Sequence, residues 1–197
     1  SVVYGATAPT ITAPVTASTG AITYTSSNTS VANINTNTGV ITIAAVGNTI
    51  LTATQAAIGN YAQSTATTTL TVTAATVALS GFSLNTPTVA YGTTTMPVVV
   101  APTSVSSGAI TYAVTGGTST TPAVITSAGV ITSIGSVGTT IFTATQAASG
   151  NYVQSTTTTV LTVTAGTAPV TTTFALSAPS VVYGATAPTI TAPVTAS

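Results

Sequence analysis

The side chains that could do chemistry in this chain are hydroxyls, phenols and carboxamides. No Lys, Arg, Asp, Glu, His or Cys occurs in its 197 residues, and the formal net charge is zero. General acid–base catalysis needs a group that titrates near working pH, and tyrosine does so only near pH ~10. Zinc and iron sites need His, Cys or carboxylates, and calcium sites normally need carboxylates. Nucleic-acid binding needs Lys or Arg to displace counterions. Disulfides are impossible. The chain is therefore expected to be no enzyme, to hold no cofactor or metal, and to bind no nucleic acid.

The remaining polar groups recur in patterns. Tyr4, Tyr91 and Tyr183 each precede Gly, and Tyr61 and Tyr152 each follow Gly-Asn. Such rings can stack on sugars, or can plug the end of a packed sheet with the hydroxyl in water. A framework that needs the ring in every copy favours the plug. Asn28-Thr29-Ser30 fits a glycosylation sequon, and the Ser and Thr hydroxyls could carry O-linked sugar, so a glycan stays open as a partner. Thr65, Thr67, Thr69, Thr71 and Thr73 form an outward rank, which raises an ice-matching surface. A flat array needs the same rank on the neighbouring strand, which instead reads Ile50, Thr52, Thr54. A solvated strand face accounts for it better.

The elements that must hold these groups are strands. Ala21–Thr25 alternates, with Ile22 and Tyr24 on one face and Thr23 and Thr25 on the other, as a half-buried strand does. Thr49–Ala56 gives Leu51 and Ala53 to a core, and Phe142 stands where Leu51 does in a second copy. Ala13-Pro14-Val15 reads as an edge strand, since Pro cannot donate to a ladder. Gly and Pro turns separate the runs, and no segment offers a capped helical period. Thr, Ser, Pro and Gly break every apolar run well short of the ~20 residues of a membrane-spanning helix. Period-2 patterning argues against disorder.

The chain is also periodic at two scales. SVVYGATAPTITAPVTAS occupies Ser1–Ser18 and returns unchanged at Ser180–Ser197, a period of 180 − 1 = 179 residues. Within it Tyr-Gly, GAITY, GVIT, TATQAA, GNY and LTVTA each recur, with offsets creeping from 91 − 4 = 87 to 152 − 61 = 91. Two related modules are expected at 1–75 and 76–165, with 166–197 as a linker and the opening strands of a next repeat. SGFSLNTPTVAYG (Ser80–Gly92) aligns with TFALSAPSVVYG (Thr173–Gly184), so module one lacks its Phe-x-Leu segment and only module two is complete. ITSIGSVG (Ile131–Gly138) is one residue longer than ITIAAVG (Ile41–Gly47), which predicts a β-bulge.

Thr25–Val72 carries an S-S-N-x-x-V-A-x-I run, a G-V-I-T strand, a T-A-T-Q-A-x-x-G-N-Y segment and a closing T-x-T-L-T-V strand. In these it resembles bacterial immunoglobulin-like (Big/MBG-type) tandem repeats of extracellular surface or fibre proteins. The resemblance covers both modules and implies an extracellular, cell-surface or secreted setting. Many such repeats hold calcium at acidic linkers or carry Lys–Asn cross-links. This chain has neither residue class, so neither feature carries over.

The expected fold is all-β, tandem immunoglobulin-like antiparallel sandwiches in a rod. The expected function is structural, a building block of an extracellular fibre or giant repetitive surface protein. The alternative is an adhesin stalk whose binding domain lies elsewhere. The expected partner is self, along the chain or between chains. Ile50 and Ile141, outward among Thr residues, are candidate self-association positions. Val181, Val182, Ile190 and Val194 form a segment that needs strands from a following copy or a neighbouring chain.

Overall fold

The computed structural model describes residues 1–168, 175–177 and 180–191. Its strands are β1 (Val2–Val3), β2 (Ile22–Ser26), β3 (Ala32–Ile34), β4 (Ile41–Ile43), β5 (Gly47–Gln55) and β6 (Ser64–Thr73) in module one. Module two has β7 (Ser83–Leu84), β8 (Thr88–Ala90), β9 (Val99–Val100), β10 (Ile110–Gly117), β11 (Val124–Ile125), β12 (Ile131–Ser133), β13 (Gly138–Gln146) and β14 (Ser155–Thr164). Then come β15 (Ala175–Leu176) and β16 (Ile190–Thr191). No helix occurs among the described residues, and none there could cross a membrane.

Each module has one four-stranded sheet, ordered β1-β6-β5-β2 in the first and β8-β14-β13-β10 in the second. A ribbon of β3 and β4 packs across the first core, and ribbons β11-β12 and β7-β9 across the second. These are the expected all-β sandwiches. One pairing departs from a purely antiparallel arrangement. β1 in module one and β8 in module two run parallel to the last strand, with Val2 opposite Val72 and Thr88 opposite Thr162. Each thereby covers the outer edge of β6 or β14, a row of backbone groups that would otherwise lie open to another chain.

The cores follow the alternation. Tyr24, Val31, Ile34, Ile41, Leu51, Leu70 and Val72 are buried together in module one. Phe82, Leu84, Ile131, Ile134, Phe142, Ala144, Leu161 and Val163 are buried together in module two. Alternation puts four polar strand side chains, Thr49, Gln55, Thr140 and Gln146, on the same inner face as Leu51 and Phe142, and all four are buried. Each has a backbone partner. Thr140 Oγ1 accepts from the Ala123 N–H at 3.0 Å, and Thr49 Oγ1 accepts from the Asn28 N–H at 3.0 Å. Gln146 Nε2 donates to the Ser106 and Gly108 carbonyls at 2.9 and 3.1 Å, and Gln55 Nε2 to those of Ser18 and Gly20. The Gln of T-A-T-Q-A thus ties down the loop that leads into β10 or β2.

Two sequence expectations are corrected. The extra residue of ITSIGSVG does not bulge a strand. It lies in the connection between β12 and β13, where Gly135 takes φ 73° and Ile134 turns into the core. The register shifts fall elsewhere, at Val114/Gly116 and Val124/Ile125. Ala13-Pro14-Val15 belongs to no strand. In module two the matching stretch holds β9, which pairs with β7; among the described residues no strand pairs with Ala13-Pro14-Val15.

Electrostatics are nearly silent. Burial of the half-buried Tyr112 pushes its phenol above the ordinary range. The folded state then holds that proton to higher pH than the unfolded chain does. The stabilisation is fully present below about pH 10 and is lost as pH rises through the raised value. With no Asp, Glu or His, no side chain titrates on the acid side. Equal denaturant midpoints at pH 3 and pH 8 are expected, with a decline only in strong alkali. A difference above about 1 kcal/mol between those two pH values would contradict this.

Candidate functional site

The place where the repeated polar residues converge is the joint between the modules. Gly150 turns the chain at φ 55°, and Ser149 and Tyr152 bridge each other across that turn. The turn presents Asn151 and Tyr152 to module one. The Ala75 N–H donates to the Asn151 carbonyl at 2.9 Å, and the Val153 N–H donates to the Ala75 carbonyl at 2.9 Å. Ala75 and Tyr152 therefore pair as a short parallel bridge, and Ala75 is buried. Asn151 Oδ1 also accepts from the Val46 N–H at 2.9 Å, reaching the β4–β5 turn of module one. The Tyr152 ring meets the Tyr4 ring edge-on, with centroids 5.9 Å apart.

This joint uses neutral hydrogen bonds and one aromatic pair, the only vocabulary such a composition allows. Each backbone bond satisfies a group of the linker that would otherwise need water. Tyr4 and Tyr152 are both half-buried, so these two phenols act as plugs. Their counterparts lie open. Gly59 makes the same turn at φ 57°, with Ile58 bridged to Tyr61, yet Tyr61 is 55% exposed. Tyr91 and Val137, the counterparts of Tyr4 and Val46, are 58% and 52% exposed. Among the described residues, then, the plug loop of module one and the socket of module two meet no such partner.

The residues singled out from sequence lie elsewhere. Ile50 is exposed, while Ile141 is half-buried, because β10 runs on to Gly117 and pairs Gly116 opposite Ile141. Val160, the partner of Ile141 on β14, is exposed. In the tail, Val181, Val182 and Ile190 are exposed, and Val194 lies outside the described residues. Tyr183-Gly184 repeats the turn of Tyr4-Gly5, with φ 87° against 81°. Val181 and Val182 are in no strand, whereas Val2 and Val3 pair with β6. Sequence reading treated GNY as a turn with a plug. It did not foresee that Asn151 and Ala75 would be the principal partners at the joint, although the exact repetition of GNY marked the motif.

Fold and joint together define a tandem β-sandwich chain whose modules meet end to end through a repeated loop. Nothing in the described residues groups three metal-binding side chains. No family model matches the chain, and no curated protein matches it. Among solved structures, the crystal structure of mouse protocadherin-24 EC1-3 is similar over 74% of this chain, with 16% identity and a TM-score of 0.34. The match spans 58% of the chain in that structure.

Proposed function

We propose that this chain is a non-catalytic structural building block of an extracellular fibre or giant repetitive surface protein, of the bacterial immunoglobulin-like type its sequence resembles. The observation that carries this reading is the joint. Its plug and socket both recur at the far ends of the two modules, so the contact can be repeated without inventing a new one. Such a head-to-tail contact generates open filaments. A backbone pair, a carboxamide clamp and an aromatic edge fix the angle between modules more firmly than a Gly-rich tether would. Exposed Ile50 and the pair of Ile141 with Val160 add a lateral apolar surface, with no charge to keep neighbouring rods apart.

The joint is testable without an assay for activity. Asn151→Ala leaves the Val46 N–H without its acceptor, a loss of about 1 kcal/mol at the interface. Adding Tyr152→Ala removes the ring against Tyr4. Small-angle scattering of the double variant should show a broader spread of distances between modules than the parent, with unchanged circular dichroism. An unchanged distance distribution would remove the joint from the account.

A further inference from the structure

One aromatic pair at the joint is unlike any other in the described residues. Tyr4 of module one and Tyr152 of module two meet edge-on, with centroids 5.9 Å apart and ring planes at 88°. The other aromatic contact among those residues joins Phe82 to Tyr112, and Phe has no phenol. Tyr4 and Tyr152 lie 148 residues apart in the chain (152 − 4), so they are neighbours only because the modules dock. A plug needs a ring but no hydroxyl. The chain uses Phe where a ring alone serves, at buried Phe82 and Phe142, yet both sides of this contact are Tyr.

A chain of this composition has few ways to bond one module covalently to another. It has no Cys for a disulfide, and no Lys, Asp or Glu for an amide between side chains. Its single methionine, Met96, oxidises to a sulfoxide, which joins nothing. Trp, Cys and His, which would compete with tyrosine for a one-electron oxidant, are all absent. Among oxidative cross-links, the one between two phenols remains. Both rings are half-buried, so each is held in place and still within reach of a small oxidant.

We propose that Tyr4 and Tyr152 form an oxidative cross-linking site, where hydrogen peroxide and a peroxidase-type catalyst join the two modules through a dityrosine bond. Each phenol gives up one electron and its O–H proton, which leaves unpaired spin on the ring carbons beside the oxygen. One such carbon of Tyr4 bonds to one of Tyr152. The hydrogen on each bonded carbon then moves to its own phenol oxygen, which restores both rings. The two electrons and two protons released reduce one hydrogen peroxide to two waters. Bringing the carbons together takes a small turn of the rings, a side-chain motion far faster than movement of whole modules. The product is a carbon–carbon bond that neither denaturant nor thiol reductant breaks. It fixes a joint otherwise held by single hydrogen bonds and an aromatic edge. The cross-link requires the joint but no filament, so it can fail without the fibre reading failing, and the reverse.

Oxidation of the dilute chain by a peroxidase and hydrogen peroxide, followed by isolation of the monomer, tests this. We expect dityrosine fluorescence in that monomer, a mass lower by two hydrogens, and peptic fragments linked through Tyr4 and Tyr152. Tyr152→Phe keeps the ring and removes the phenol, so monomer fluorescence should fall at least tenfold with unchanged circular dichroism. Tyr61→Phe, at the exposed counterpart in module one, should leave it unchanged. Oxidation of the chain unfolded in urea should lose the preference for this pair. A monomer without dityrosine, linkage of other tyrosines in its place, or a signal that survives Tyr152→Phe would overturn the proposal. So would an equal yield of the same link from the unfolded chain.

Discussion

Replacing Phe142 by Ala should destabilise module two by about 3–5 kcal/mol, a large share of the total for a domain of this size. Phe142 is fully buried at the centre of the second core, between Leu161 and Val163 of the adjoining strand and the Phe82–Leu84 strand above. Neighbours held by sheet ladders cannot collapse into the vacated space, so both the transfer and the cavity contributions are lost. Leu51→Ala, the same position in module one, should cost nearer the lower end of about 2–5 kcal/mol. Leu51 already lines an open cleft of about 370 Å³ beside Tyr24 and Ala53, so its removal enlarges a space that water reaches instead of creating a sealed void. Urea titrations of the two variants give the comparison. Equal losses would mean that the cleft is closed in solution.

Gly135→Ala should cost more than 2 kcal/mol, and Gly59→Ala no more than about 1–2 kcal/mol. Both glycines have positive φ, 73° and 57°, so both substitutions carry the left-handed backbone penalty. They differ in what a Cβ would meet. At Gly135 it would stand 2.1 Å from the Thr121 carbonyl oxygen and 2.7 Å from the Ala123 nitrogen. Those are backbone atoms of the chain leading into β11, and no rotamer change moves them. At Gly59 there is nothing within 4 Å. Denaturant midpoints of the two variants, measured side by side, separate collision from conformation. A Gly135 variant as stable as the Gly59 one would show that the β12–β13 connection shifts freely.

Much of this protein can be read from local pattern, because strands declare themselves residue by residue. The alternation of Ile22, Tyr24, Leu51, Leu70 and Val72 is a property of the extended backbone, so it places the sheet and its inner face before any tertiary contact is known. The absence of every charged side chain and of cysteine likewise fixes which chemistry is impossible, since no fold can supply a missing functional group. The exact return of Ser1–Ser18 shows periodicity without any structure at all.

Other features depend on which segments meet, and local pattern is blind to that. The insertion at Ile131–Gly138 looks the same in sequence whether it bulges a strand or lengthens a loop, and only packing of Ile134 against the core decided for the loop. Thr49, Gln55, Thr140 and Gln146 share the inward face of Leu51 and Phe142 by alternation, but the backbone groups of distant loops that satisfy them there are not legible in the sequence. Asn151 is one Asn after one Gly in the sequence, and its partners Val46 and Ala75 lie 105 and 76 residues earlier (151 − 46, 151 − 75). Short-range periodicity fixes the strands, whereas the joint is a long-range pairing whose partners the tertiary structure alone brings together.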